Sequence, residues 1–170
     1  MPPSKPASRP APADGADASV ERALHESAGH CVCGNLRMAA RLVTAHYDAA
    51  LRPCGIEANQ MAMLWVIHAG EPLASSRVAH GMGIDQSTAS RNLAVLEGRG
   101  LVRSEPSRDD RRQRVVRLTA QGRRTLIRAY PLWQKAQAEV GRLTADLADV
   151  GAIGRTLRRV TRRLQASDRG

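Results

Sequence analysis

Apolar residues recur at helical spacing along most of the chain, and the breaks in that rhythm mark its elements. Leu36, Ala40, Val43, Tyr47, Ala50 and Cys54 share one side of a helix predicted over residues 34–53, while Arg37, Arg41, Thr44, Asp48 and Arg52 take the other. Pro53 and Gly55 stop it. A second helix is predicted over residues 56–69, with Met61, Leu64, Trp65 and His68 facing inward and Glu57 as an unusual cap. Gly70, Glu71 and Pro72 then break the chain, Leu73 is placed to pair as a short strand, and residues 75–82 make a third helix. Gly81 is out of place there, costing about 1 kcal/mol relative to alanine. After a turn at Gly83, Ala89, Leu93 and Leu96 define the buried face of a fourth helix, capped by Asp85 and ended by Gly98 and Gly100.

The rhythm then changes. Residues 101–105 and 114–118 read as two strands around a polar connector. From Leu126 through Ala129, Trp133, Ala136, Val140, Leu143 and Leu147 to Val150 the steps alternate between three and four, a heptad seam that predicts one long helix along a partner helix, loosened at Pro131. Beyond Gly151 and Gly154, Ile153, Leu157, Val160 and Leu164 line one face of a last helix. At the other end, residues 1–19 carry five prolines and few large apolar side chains, so they read as a disordered tail, followed by a weak helical signal over 20–29.

Charge gives this pattern a purpose. The net charge is +10, and ten arginines between Arg99 and Arg128 face only Glu105, Asp109 and Asp110. Such a concentration is the electrostatic footprint expected on phosphates. The fourth helix shows Gln86, Ser87, Ser90 and Arg91 opposite its apolar face, with Thr88 beside them at its start. Short polar side chains and a guanidinium at a helix N-terminus suit the base edges of a major groove. A second arginine run, residues 155–169, reads as a solvated helix end. With Phe absent and two Trp and two Tyr in the chain, stacking on single strands is disfavoured.

The segment IDQSTASRNLAVLEGRGLV at 84–102, followed by Asp110, Arg112 and the Leu118-Thr119-x-x-Gly122 run, resembles the multiple-antibiotic-resistance regulator (MarR) family of winged-helix repressors. Asn35-Leu36-Arg37 and Tyr47-Asp48 are similar to that family's first helix. The resemblance implies a mainly α fold with a small β wing, a winged helix-turn-helix joined to a helical dimerisation arm. On this reading 20–55 and 119–168 form the dimerisation region, and 56–118 forms the DNA-binding region. It further implies a homodimer on a palindromic double-stranded operator. Arg112 enters the minor groove and is held by Asp110, and Arg108 and Arg111 touch phosphates. The first helix becomes one wall of an effector pocket.

For that pocket, Arg37, Arg41, His46 and Tyr47 on the first helix, with Trp65 and His68 on the second, suggest a small aromatic or carboxylate effector. The rival is a thiol or metalloid sensor at Cys31 and Cys33. Two thiols alone do not make a structural zinc site, and the five histidines lack metal-binding spacing, so no metal and no cofactor are expected. The residues form no catalytic set, which argues against an enzyme; a sequence-indifferent DNA-coating protein is the remaining alternative. The odd cysteine count, the lack of an apolar signal core and the lack of a long apolar run lead to the expectation of a cytoplasmic bacterial protein with no membrane partner.

Overall fold

The computed structural model describes residues 15–107 and 113–167. The chain falls into two compact units, Met1–Arg41 and Leu42–Gly170. In the first, α1 spans Gly15–Ala28, so residues 15–19 are helical, while residues 1–14 of the expected tail lie outside the described residues. Helix α2 spans Val32–Leu51 and carries the chain into the second unit. It starts two residues earlier than its apolar rhythm predicts, because Cys31 caps it: the Gly34 amide donates to Cys31 Sγ at 3.4 Å. The Asn35 side chain donates to the Gly29 carbonyl at 3.0 Å.

In the second unit, a 3-10 turn at Arg52–Cys54 ends on Gly55, whose φ of 68° suits glycine. Helix α3, Ala58–Gly70, follows. Its start is held twice: from α2, Asp48 Oδ1 accepts from the Ala58 amide at 2.6 Å, and from its own first turn, Gln60 Oε1 accepts from the Glu57 amide at 3.2 Å. A two-residue strand β1, Leu73–Ala74, leads into α4, Ser75–Met82, and α5, Gln86–Gly98. Strands β2, Val102–Pro106, and β3, Arg114–Leu118, complete an antiparallel sheet of order β1-β3-β2. Leu73 pairs with Val116, and Val102 with Leu118, so the predicted short strand beside the hairpin is present. The fold is therefore mainly helical with a small sheet, as the sequence pattern implies.

The core joins α3, α4, α5 and the sheet through Met61, Leu64, Ile67, Val78, Leu93, Leu96, Val102 and Val116, all buried. Gly81 is explained by this packing: a Cβ there would lie 2.9 Å from Val66 Cγ1 of α3. The largest departure from the sequence reading is at the C-terminus. Helix α6 runs Ala120–Leu143, through Pro131, and stops. Residues 144–149 turn, and α7 spans Val150–Ser167, including Gly151 and Gly154. The heptad spacing continues across that turn by coincidence, while the stop is set by hydrogen bonds. Thr144 Oγ1 donates back to the Val140 carbonyl at 3.0 Å, and Asp149 Oδ1 caps α7 by accepting from the Ala152 amide at 2.8 Å. The first half of the seam also serves its own chain: Ala129 is buried in this core, and Leu126 and Trp133 pack against it.

Candidate nucleic-acid interface

Helix α5 is prepared at its N-terminus by one carboxylate. Asp85 Oδ1 accepts from the Thr88 amide at 2.8 Å and the Ser87 hydroxyl at 2.6 Å, and Oδ2 accepts from the Thr88 hydroxyl at 2.7 Å. These donors, the Ser87 and Thr88 hydroxyls first, hold the exposed Asp85 carboxyl well below the usual carboxylate range. Arg91 donates to Thr88 Oγ1 at 3.1 Å, so the guanidinium is braced over the same turn. The hydroxyl protons of Ser87 and Thr88 are thus committed to the carboxylate, which leaves Ser87 Oγ as an acceptor while Thr88 Oγ1 already accepts from Arg91. Ser90 and Arg91 are exposed on that surface. Gln86 is a brace as well as a surface residue: its side-chain amide donates to Ser75 Oγ at 3.1 Å, tying the start of α5 to the start of α4.

The other end of α5 is fastened just as firmly. Glu97 Oε1 accepts from the Ser104 amide at 2.8 Å, fixing β2 against the helix. Arg99 reaches Gln60 Oε1 at 2.7 Å and the Gly55 carbonyl. Gly100, with φ 68°, makes the turn into β2; Gly98 lies inside the helix, so only the second of the two glycines ends it. Thr119 Oγ1 donates to the Gly100 carbonyl at 2.6 Å and accepts from the Gly122 amide at 3.0 Å. A Cβ on Gly122 would come within 2.0 Å of the Leu101 carbonyl oxygen, so this position admits only glycine.

Across the hairpin Arg117 Nε donates to Glu105 Oε1 at 2.6 Å, and the Ser107 amide donates to the Gln113 carbonyl at 2.8 Å on the last described rung. Arg108, Asp110, Arg111 and Arg112 lie outside the described residues. At the hairpin base sits a cluster the sequence did not reveal. Glu71, largely buried, accepts from the Leu118 amide at 3.1 Å and pairs with Arg123 at 2.5 Å, and His68 Nδ1 lies 3.7 Å from its carboxylate.

That cluster claims His68, which is exposed and does not line the cavity expected for an effector. The cavity itself, about 250 Å³, is lined by Tyr47, Leu51, Ala58, Asn59, Met61, Ala62, Trp65 and Trp133. Trp65 and Trp133 meet edge to face at 5.0 Å between ring centres. The Tyr47 hydroxyl donates to Gln137 Oε1, and burial pushes this phenol above its ordinary pKa, so it remains a donor at neutral pH. His46 Nε2 stands 3.5 Å from Glu139 Oε2, inside ion-pair range but without a hydrogen bond. Of the expected pocket residues, Tyr47 and Trp65 are brought together. Arg37 and Arg41 are exposed residues of the first unit, and the lining contains no cation. Trp133 was missed for the pocket because its 3-4 spacing assigned it to a seam.

Cys31 and Cys33 are free and exposed. Among the described residues no group of three or more His, Cys, Asp or Glu is placed to hold a metal, and no helix is long and apolar enough to cross a membrane.

Known proteins share this arrangement. The MarR family profile matches residues 55–113, from just after the 3-10 turn to just before β3. The DNA complex of the Mycobacterium tuberculosis transcriptional regulator MosR superposes with a TM-score of 0.71 at 36% identity, over 81% of this chain and 98% of that one. The chain belongs to the MarR family. CouR of Rhodococcus jostii RHA1, in a structure bound to p-coumaroyl-CoA, has a TM-score of 0.64 at 26% identity, over 78% of this chain and 93% of its own. The Escherichia coli transcriptional regulator HosA is 42% identical over 62 residues, 36% of this chain; the match spans about half of that relative's length, 46%. As a member of the MarR family the chain is a DNA-binding transcription regulator, with the winged-helix fold built around α5.

Proposed function

We propose that the protein is a homodimeric repressor that binds a palindromic operator through α5 and the hairpin tip and is released by a small aromatic molecule. The observation that carries the effector reading is the Tyr47–Trp65–Trp133 cavity, which joins α2, α3 and α6 of the second unit. Its wall is mostly apolar and aromatic, with Tyr47 and Asn59 as its polar-bearing residues, the composition of a small-molecule site. An occupant wedged between α3 and α6 would shift α3, against which α4 packs, and with it the recognition helix. Two such helices must reach half-sites about 34–36 Å apart, so a small change in spacing weakens both at once. CouR, whose structure holds an aromatic acyl thioester, supports an aromatic ligand here. The absence of a cation from the lining supports the aromatic half of the expected chemistry more than the carboxylate half. Arg112 in the minor groove, with Asp110 holding it, remains part of this proposal, as do phosphate contacts by Arg108 and Arg111.

A second reading has its own observation. Cys31 and Cys33 are exposed at the start of α2, with the Cys31 sulfur accepting a helix N-terminal amide. That placement suits a thiol that reacts with oxidants. Two variants separate the readings in a promoter-release assay. Filling the cavity with Ala62→Leu should abolish release by an aromatic inducer while leaving DNA affinity intact, and Cys31→Ser with Cys33→Ser should leave that release unchanged. Release lost in the cysteine variant and kept in the filled-cavity variant would establish the thiol reading instead.

A further inference from the structure

Helix α7 has two chemically opposite faces. At about 100° per residue, Ile153, Leu157, Val160 and Leu164 fall within one narrow sector. Four of its five arginines, 155, 158, 159 and 162, fall on the far side, Arg163 flanks the apolar sector, and the helix has no acidic residue. Among the described residues only Arg155 has a carboxylate within reach, Asp149 at 3.7 Å. The other four guanidiniums are exposed and form no ion pair there.

Where this face lies matters more than its charge. Leu157, Arg158, Thr161, Arg162 and Gln165 form one wall of an open groove whose other wall is His80–Gly83, the end of α4 and the turn of the helix-turn-helix. Gly83, at φ 65°, passes directly into Asp85 and the first turn of α5. The arginine flank of α7 is therefore beside the segment that feeds the recognition helix, on the same unit. The unpaired charges repel one another, and a polyanion relieves that repulsion. DNA presents about one charge per 1.7 Å of helix axis, and the planar fork of arginine matches phosphate oxygens.

We propose that Arg158 and Arg162 of α7 contact backbone phosphates of the DNA flanking each half-site, extending the footprint beyond the bases that α5 reads. The inference rests on DNA binding by the helix-turn-helix. It leaves the apolar face of α7 free for a second copy of the chain, because the two faces are opposed.

The test uses the full-length protein and the shortest palindromic duplex it selects from a random pool. That duplex is compared with the same duplex lengthened by about ten base pairs, one helical turn, on each side. Wild-type protein should bind the longer duplex at least severalfold more tightly at low salt. Arg158→Gln with Arg162→Gln should lose that advantage, keep its affinity for the short duplex, and reduce the slope of log affinity against log salt by about one per lost phosphate contact on the long duplex. Arg158→Lys with Arg162→Lys should restore most of the slope. An unchanged slope and length dependence in the Gln variant would overturn the proposal, and so would equal weakening on both duplexes, which marks a general structural effect. A wild-type protein that selects no palindrome would instead indict the helix-turn-helix reading on which this one depends.

Discussion

The Asp85 carboxylate accepts three hydrogen bonds at the first turn of α5, and two of its donors are hydroxyls on the surface read as DNA-facing. Helix capping and presentation of Ser87 and Thr88 are therefore one structure. Because those donors depress the folded-state pKa, the carboxylate's contribution to stability is present above the unfolded value of about 3.9 and is lost as pH falls through that value toward the folded one. Thermal melts from about pH 6 down to pH 3 should show the wild type losing its advantage over Asp85→Asn as the medium becomes acid, since asparagine caps without titrating. Parallel curves for the two proteins would mean the carboxylate is not stabilised in this way. The cap, the polar face and Arg91 were legible in sequence because each depends on neighbours within four positions. Glu71 was not. Its partners Leu118 and Arg123 are some fifty residues away, and nothing local distinguishes a carboxylate that braces a hairpin from one that merely precedes a proline. Gly122 was visible as part of a resemblance, but its reason, the Leu101 carbonyl, exists only in three dimensions.

Among the elements, α5, β2 and β3 were predicted nearly to the residue, since a period of 3.6 giving way to apolar, β-branched runs is a strong signal. In the C-terminal region spacing and capping disagree: Thr144 and Asp149 mark a stop and a start that the 3-4 spacing of Leu143, Leu147 and Val150 conceals. What survives of the seam reading is its exposed remainder. Leu143 and Leu147 are 67% and 77% exposed, and Leu157, Val160 and Leu164 lie open on α7. If a second copy covers it, deleting residues 151–170 should convert a dimer into monomers or aggregates under light scattering. A soluble truncated dimer would place the interface elsewhere.

At the scale of the whole molecule, α3 packs against both α6 and α4, so the aromatic cavity and the helix-turn-helix share one element, and arginines crowd α5 and the hairpin. The sequence pointed to a DNA-binding region, because arginine density and the order of motifs survive without coordinates. It did not identify which side chains close the cavity, since Trp133 is nearly seventy residues from Trp65 and meets it only through the α3–α6 packing. Operator recognition turns on base reading by α5. Its most direct test is the affinity of Arg91→Ala and Ser90→Ala for the palindrome selected by the wild type, measured beside a scrambled duplex of equal length. Each variant should lose about 1–3 kcal/mol per base contact on the palindrome and little on the scrambled duplex, lowering the specificity ratio. Unchanged affinity of both variants for the palindrome would mean that α5 does not read bases.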